Sequence, residues 1–249
     1  MLKGLFIDLS GVLYEGDRAM PGAVEAVQRL QQSDMTLRFV TNTSRRNRQQ
    51  LLDDLYRLGF ELAPEQLISA PVAAARWLQA HGKRPFLLIH PDILCEFEGL
   101  ETQQPDAVVI GDAEQELNYQ NLNQAFRLLM DGAELIAIGY NRYFKLGGQF
   151  HLDAGPFVRA LEYAADCKAI VTGKPAAAFF QQALDDCGLK ANEVMMLGDD
   201  IHGDIEGARN AGLHACLVRS GKYRPGDEDR IDTDFEVMDS LADWVNQRL

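Results

Sequence analysis

Short apolar runs alternate along this chain with stretches in which apolar residues return every three or four positions. Leu5-Phe6-Ile7, Leu37-Arg38-Phe39-Val40, Phe86-Leu87-Leu88-Ile89, Ala107-Val108-Val109-Ile110, Leu135-Ile136-Ala137-Ile138, Ala169-Ile170-Val171 and Val194-Met195-Met196-Leu197 read as strands. Runs this apolar suit parallel strands covered on both faces. Between them, Val24, Val27 and Leu30 predict a helix over 23–32, entered after Pro21-Gly22. Leu51, Leu52, Leu55 and Leu58 predict a second helix over 44–58, with Ser44 as its N-cap and Gly59 as its stop. Further helices are expected over about 72–80, over 119–130, from about 155 onward, and over 241–249. Tyr143-Phe144-Lys145-Leu146 and Gln149-Phe150-His151-Leu152 flank Gly147-Gly148, which reads as a hairpin.

The alternation predicts an α/β fold, a Rossmann-like doubly wound parallel sheet interrupted by an inserted αβ domain. The expected boundaries are 1–76 plus 168–249 for the discontinuous core and 77–167 for the insert.

Four strand ends carry polar signatures: Asp8-Leu9-Ser10-Gly11, Thr41-Asn42-Thr43, Thr172-Gly173-Lys174-Pro175 and Gly198-Asp199-Asp200. Open α/β sheets bind ligands at the carboxyl ends of their strands. If these strands share one sheet, its rim collects carboxylates, a hydroxyl, an amide and an ammonium. That set suits a magnesium ion and a phosphoryl group. Asp8 alone would be an ordinary turn or cap residue. In this company it can attack phosphorus as a nucleophile, provided that a hard cation offsets the charge repulsion. Thr41 and Asn42 either hold phosphate oxygens or merely cap the helix that follows.

Lys174, pinned between glycine and proline, reads as a fixed counter-charge to Asp8 and the phosphoryl group. Asp199, Asp200 and Asp204 repel one another unless a cation or protons compensate, although an acidic surface loop is the plain alternative. His202 has no partner histidine at ligand spacing and is read as a loop or substrate-adjacent residue. Arg45, Arg46 and Arg48 form a dense basic cluster, expected as the solvated face of a helix, with attraction of anions as the alternative.

The 249 residues carry 37 acids against 24 bases, a net charge of −13. That balance argues against a nucleic-acid groove or a membrane-surface role, but not against an anionic substrate that arrives with a cation. Four cysteines at no zinc or redox spacing are expected as free thiols. With no signal-like segment and no run near the ~20 apolar residues of a spanning helix, a cytoplasmic location is expected.

The four motifs in this order resemble those of haloacid dehalogenase superfamily phosphatases of class IIA, whose large inserted αβ cap lies between the second and third motifs. The resemblance spans essentially the whole chain. It rests also on Val12-Leu13-Tyr14, Tyr119-Gln120-Asn121, Arg142-Tyr143-Phe144-Lys145, Gly155-Pro156-Phe157, Ala160-Leu161-Glu162-Tyr163-Ala164 and Gly221-Lys222-Tyr223-Arg224. It implies Asp8 as nucleophile and magnesium ligand, the Ser10 carbonyl and Asp199 as further ligands, and Thr41 and Asn42 as holders of the phosphoryl group. Lys174 would steady nucleophile and phosphate, with Asp200 and Asp204 supporting the metal site from its edge. A homodimer joined through the caps and a small phosphorylated substrate are implied as partners.

Two departures stand out. Most phosphatases of the superfamily carry an aspartate two residues after the nucleophile as general acid and base; here it is Ser10. That should favour pyrophosphate, phosphoamides or activated monoesters over esters with poor leaving groups. In the cap, Asn141-Arg142-Tyr143 replaces the usual Asn-x-Asp, so Arg142 is a candidate contact for an anionic substrate, equally explained by pairing with surface carboxylates. The alternatives are a catalytically weak binding or regulatory protein, a general small phosphomonoester phosphatase and a phosphomutase. A signalling receiver domain fits less well, because its acidic pair precedes the phosphorylated aspartate.

Overall fold

Two parallel sheets organise the chain. The computed structural model describes residues 2–146 and 149–249, so the Gly147-Gly148 turn of the expected hairpin lies outside the described residues. One compact unit comprises Met1–Thr41, Gln49–Ile68 and Lys174–Leu249; the other comprises Asn42–Arg48 and Ser69–Gly173.

The first unit is built on a six-stranded sheet in the order Glu236–Met238, His214–Val218, Val194–Gly198, Gly4–Asp8, Thr36–Thr41, Leu67–Ser69. Gly4–Asp8 is central, and the chain winds outward from it in both directions, which makes its carboxyl end a topological switch point. Every residue of Gly4–Asp8 and of Val194–Gly198 is buried, as their unbroken apolar runs require. Leu5, Ile7, Phe39, Leu197 and Trp244 share one buried cluster with Val27 and Leu30 of the helix Ala23–Gln31 and Leu51 and Leu55 of the helix Arg48–Arg57. The parallel register sets Ile7 beside Leu197 and Asp8 beside Val40. The polar residues that follow these strands therefore leave the sheet at the same edge.

In the second unit, Ile170–Val171, Glu134–Ala137, Ala107–Ile110 and Pro85–Leu88 form a four-stranded parallel sheet. Alternate residues serve opposite faces. Ala107, Val109 and Ile136 pack with Ala70, Ala74 and Leu78 of the helix Ala70–Ala80. Val108, Ile110 and Leu135 pack with Ala125, Leu129, Val158 and Leu161 of Tyr119–Met130 and Ala154–Ala165. Tyr143–Leu146 and Gln149–Leu152 pair antiparallel beside this sheet order.

Several expectations differ from the structure. The run Ala169-Ile170-Val171 does not join the sheet of Asp8: Ile170 and Val171 pair with Ile136 and Ala137 of the second sheet. Gly173 lets the chain leave that sheet, since a Cβ there would lie 2.5 Å from the Ile138 carbonyl oxygen. The second unit, Asn42–Arg48 with Ser69–Gly173, takes in more of the chain than the 77–167 expected for the insert. Its first helix spends its apolar face on Ile89, Ile93 and Ile136, and its last strand pairs within its own sheet.

The second predicted helix starts at Arg48, not after Ser44. Polar groups of the second unit hold the intervening residues: the Asn47 amide donates to the Asp92 carbonyl at 3.0 Å and the Arg48 N–H to Glu96 at 2.6 Å. The Arg45 guanidinium reaches Asp112 at 2.5 Å and Glu114 at 2.6 Å, and lies 4.6 Å from the centre of the Phe144 ring. Arg45 is thus a pinned side chain and not part of a solvated helix face. Gly59 does end the helix, at φ 96°, a conformation glycine adopts without strain.

Asp112 is buried, so removing its guanidinium strands a carboxylate. Arg45→Met should lower stability by about 1–3 kcal/mol, the partial exposure of Arg45 keeping the loss below that of a fully buried pair. Urea unfolding should show part of that loss restored when Asp112→Asn is added in the same chain.

Candidate active site

Lys174 gathers the site. Its ammonium donates to Asp8 Oδ1 at 2.6 Å, to Asp204 Oδ1 at 2.6 Å and to the Val40 carbonyl at 3.3 Å. Asp8 ends the central strand, Val40 lies in the neighbouring strand, and Asp204 stands in the helical turn Ile201–Glu206. Asp199 follows the strand Val194–Gly198 directly. Oxygens of Asp8, Asp199 and Asp204 all lie within 4.8 Å of one another, and all three residues are buried. Gly198 permits this approach, because a Cβ there would sit 2.3 Å from the Asp204 carboxylate.

Burial works against the charge on Lys174, but Asp204 and Asp8 outweigh it and hold its pKa above the ordinary value. Burial, together with repulsion from Asp8 and Asp204, pushes Asp199 up to about 8. Asp204 is pushed up to about 6, chiefly by burial, with Lys174 opposing the rise. Three carboxylates facing one ammonium leave two negative charges without a counter-ion. Asp199 Oδ2 accepts the Lys222 main-chain N–H at 2.7 Å, whereas Asp199 Oδ1 is buried with no hydrogen-bond partner among the described residues. An orphaned buried carboxylate oxygen is costly. A hard divalent cation would satisfy it and balance the charge, and all-oxygen donors are what such ions take. The residues present fit that group.

The remaining candidates fall in different places. Thr41 is buried one residue beyond the carbonyl that Lys174 holds. Ser10 is exposed two residues after Asp8. Asp200 does not face the cluster. Its Oδ1 caps the following turn by accepting from His202 and Gly203 N–H, and its Oδ2 meets the Lys222 ammonium at 3.2 Å. Asp204, expected at the edge with Asp200, sits in the middle of the cluster, bonded to Lys174. The His202 ring pairs with Glu206 at 2.7 Å. Asn42 and Arg142 belong to the second unit, where Arg142 is exposed and its carbonyl accepts from Asp153 N–H at 3.3 Å.

Sequence reading gives no role at the site to Gly11 and Gly221. Their φ angles are 85° and 56°, and a Cβ on either would lie 2.0 Å from Asp199 Oδ2. Only glycine lets two turns close on one carboxylate.

Comparison with known proteins gives the family. Residues 5–103 match the family described as haloacid dehalogenase-like hydrolase, and residues 171–244 match one described as HAD-hydrolase-like. The chain is 47% identical to haloacid dehalogenase-like hydrolase domain-containing protein 2 of Bos taurus, over 92% of this chain and 89% of the relative. The chain belongs to the haloacid dehalogenase-like hydrolase family. Human phospholysine phosphohistidine inorganic pyrophosphate phosphatase is 42% identical, over 98% of this chain and 93% of that one. Among solved structures, the p-nitrophenyl phosphatase of Archaeoglobus fulgidus superposes with a TM-score of 0.90 at 26% identity, covering 99% of both chains. The 4-nitrophenylphosphatase of Thermotoga maritima also gives 0.90, at 25% identity, over 98% of this chain and 97% of that one. Within this hydrolase family the chain is an enzyme of phosphatase type, and its fold is the class IIA arrangement with an inserted α/β cap.

The raised values of Asp199 and Asp204 carry a pH signature in protein stripped of metal. An acid whose folded pKa lies above its unfolded 3.8 takes up a proton on folding. The stability associated with that proton is complete below pH 3.8 and is lost as pH rises through about 6 and about 8. The thermal midpoint in chelator should therefore fall between pH 5 and pH 9. Asp199→Asn should flatten that fall; an unchanged slope in this variant would refute the assignment.

Proposed function

We propose that this phosphatase is a magnesium-dependent phosphohydrolase that works through an aspartyl-phosphate on Asp8, with a small phosphorylated compound as substrate. The observation that carries the reading is the buried Oδ1 of Asp199, without a hydrogen-bond partner among the described residues, in a carboxylate clustered with Asp8 and Asp204, which share the Lys174 ammonium. Asp8, Asp199 and the Ser10 carbonyl would hold the ion, with Asp204 supporting them. When bound, magnesium would supply the positive charge that lets an anionic nucleophile approach an anionic phosphoryl group.

Lys174 occupies Asp8 Oδ1 and so orients the carboxylate, leaving its second oxygen to attack phosphorus. As that O–P bond forms, the bond from phosphorus to the leaving group breaks. The Lys174 charge stabilises the density that builds on the transferring group. Thr41, at the end of the strand that neighbours Asp8, holds a phosphoryl oxygen. Water then cleaves the acyl phosphate, releasing inorganic phosphate and restoring the Asp8 carboxylate.

Ser10 shapes the substrate class. A serine hydroxyl is a far weaker proton donor at neutral pH than a carboxylic acid, and general acid–base help is worth roughly 10²–10⁴-fold. Substrates whose leaving groups need little help, namely phosphoamides, pyrophosphate or activated monoesters, suffer least. The names of two relatives, a phospholysine phosphohistidine inorganic pyrophosphate phosphatase and a 4-nitrophenylphosphatase, agree with that class. Ser10 also motivates a second reading, a family member that binds its ligand but turns over weakly.

Phosphate release should be measured over pyrophosphate, phosphohistidine, phospholysine, 4-nitrophenyl phosphate and alkyl phosphates. Asp8→Asn should abolish turnover, and Lys174→Ala or Asp199→Ala should lower it at least ~10²-fold. An alkyl phosphate that outpaced all the others would overturn the substrate class. Binding without magnesium-dependent release on any of them would favour the second reading.

We also propose a homodimer formed through the insert. Tyr143, Phe150 and Leu152 lie on one face of the hairpin by its register and are 50%, 71% and 63% exposed. A face this apolar on an exposed ribbon is unusual without a partner. Light scattering should find the wild type a dimer and the Phe150→Glu, Leu152→Glu double variant a monomer; a monomeric wild type ends the proposal. Four free cysteines, and no helix long and apolar enough to cross a membrane among the described residues, support a cytoplasmic setting.

A further inference from the structure

Asp199 reaches the acidic cluster through a narrow passage. Its carboxylate lies between two glycine turns, Gly11 and Gly221, and a Cβ on Gly221 would lie 2.5 Å from the Gly11 Cα. The Ser220 hydroxyl fastens one turn to the other, donating to the Gly11 carbonyl at 2.6 Å. The next residues then place the Lys222 main-chain N–H on Asp199 Oδ2 at 2.7 Å.

This strap is anchored away from the cluster. Arg219 N–H donates to the Met238 carbonyl at 2.9 Å, and the Arg219 and Tyr223 side chains meet on Glu228, at 3.2 Å and 2.9 Å. The Lys222 ammonium, in contrast, is 60% exposed in its pairing with Asp200, so it adds little to rigidity. The strap therefore ties one oxygen of Asp199, whose carboxylate lies within the Asp8–Asp204 cluster, while the other is buried with no hydrogen-bond partner among the described residues.

We propose that Ser220 is a positioning residue for the cation: by fastening the Gly221-Lys222 backbone to Gly11 it immobilises Asp199 Oδ2 and presents Oδ1 to a divalent ion beside Asp8. The inference rests on the reading of the cluster as a cation site. It makes cation affinity depend on a hydroxyl that touches neither the ion nor the substrate. Supporting partners of ligating carboxylates are typically worth 10–100-fold in metal affinity. Ser220 acts through a backbone, so the lower end applies.

Isothermal titration of magnesium into chelator-stripped protein tests this without turnover. Wild type should bind, Ser220→Ala should bind about 10-fold more weakly, and Ser220→Thr, which keeps the hydroxyl, should restore the affinity. In steady-state assays Ser220→Ala should raise the magnesium half-saturation by the same factor, with most of kcat returning at saturating magnesium. The thermal midpoint in chelator reports whether Ser220→Ala folds. Should it not fold, Glu228→Ala removes the acceptor of Arg219 and Tyr223, loosens the strap from its outer anchor and should weaken binding in the same direction. Equal affinity in wild type and the folded variant overturns the role of Ser220 and leaves the cation site standing. A wild type that binds no magnesium removes the cation reading itself, before any variant is compared.

Discussion

An ammonium and three carboxylates buried at the end of one sheet are tolerable only if their charges are set against one another. Among the described residues, Lys174 is the ammonium hydrogen-bonded within the cluster, and it is shared between Asp8 and Asp204. Asp199 is left over. Without a cation it can stay buried only by holding a proton, which is why its pKa is pushed up to about 8. The site is thus built short of positive charge, and that shortage is what a divalent ion and a phosphoryl group can use. Packing around the strand ends serves this arrangement: glycines at 11, 198 and 221 remove the Cβ atoms that would otherwise hold the carboxylates apart.

The two oxygens of Asp199 show how the backbone assigns roles within one side chain. Oδ2 accepts a main-chain N–H, and Oδ1 has no hydrogen-bond partner among the described residues. Asp200, next in the chain, is turned the other way: burial disfavours its charge, but Lys222 and the Gly203 and His202 N–H groups hold its pKa below the ordinary range. Adjacent aspartates therefore differ in kind. One is poised to ligate, and the other caps a helical turn and locks the turn that delivers Asp204.

Much of this was legible in the sequence for a physical reason. A strand covered on both faces must be apolar throughout, so Leu5-Phe6-Ile7 and Val194-Met195-Met196-Leu197 announced themselves, and the charged residues that broke them had to lie at a rim. The strands His214–Val218, Glu236–Met238 and Leu67–Ser69 were missed. Glu236–Met238 and Leu67–Ser69 lie at the sheet edges and are three residues long, too short for a period to show. The start of the helix Arg48–Arg57 was misplaced because its determinants, Glu96, Asp92 and Asp112, lie more than forty residues away in the chain. No local propensity reports such partners.

Residue order alone determined which stretches would be buried strands and which side chains would stand at their ends. It also determined that a serine, Ser10, and not a carboxylic acid stands two residues after Asp8. Tertiary structure alone decided that the strand before Lys174 belongs to a different sheet from Asp8, that Asp204 and not Asp200 joins the cluster, and that Ser220 clasps Gly11. Periodicity records what each residue faces within its own element. The sheet a strand joins, the placing of a buried acid and the closure of two turns arise from groups far apart in the chain that meet only when it folds.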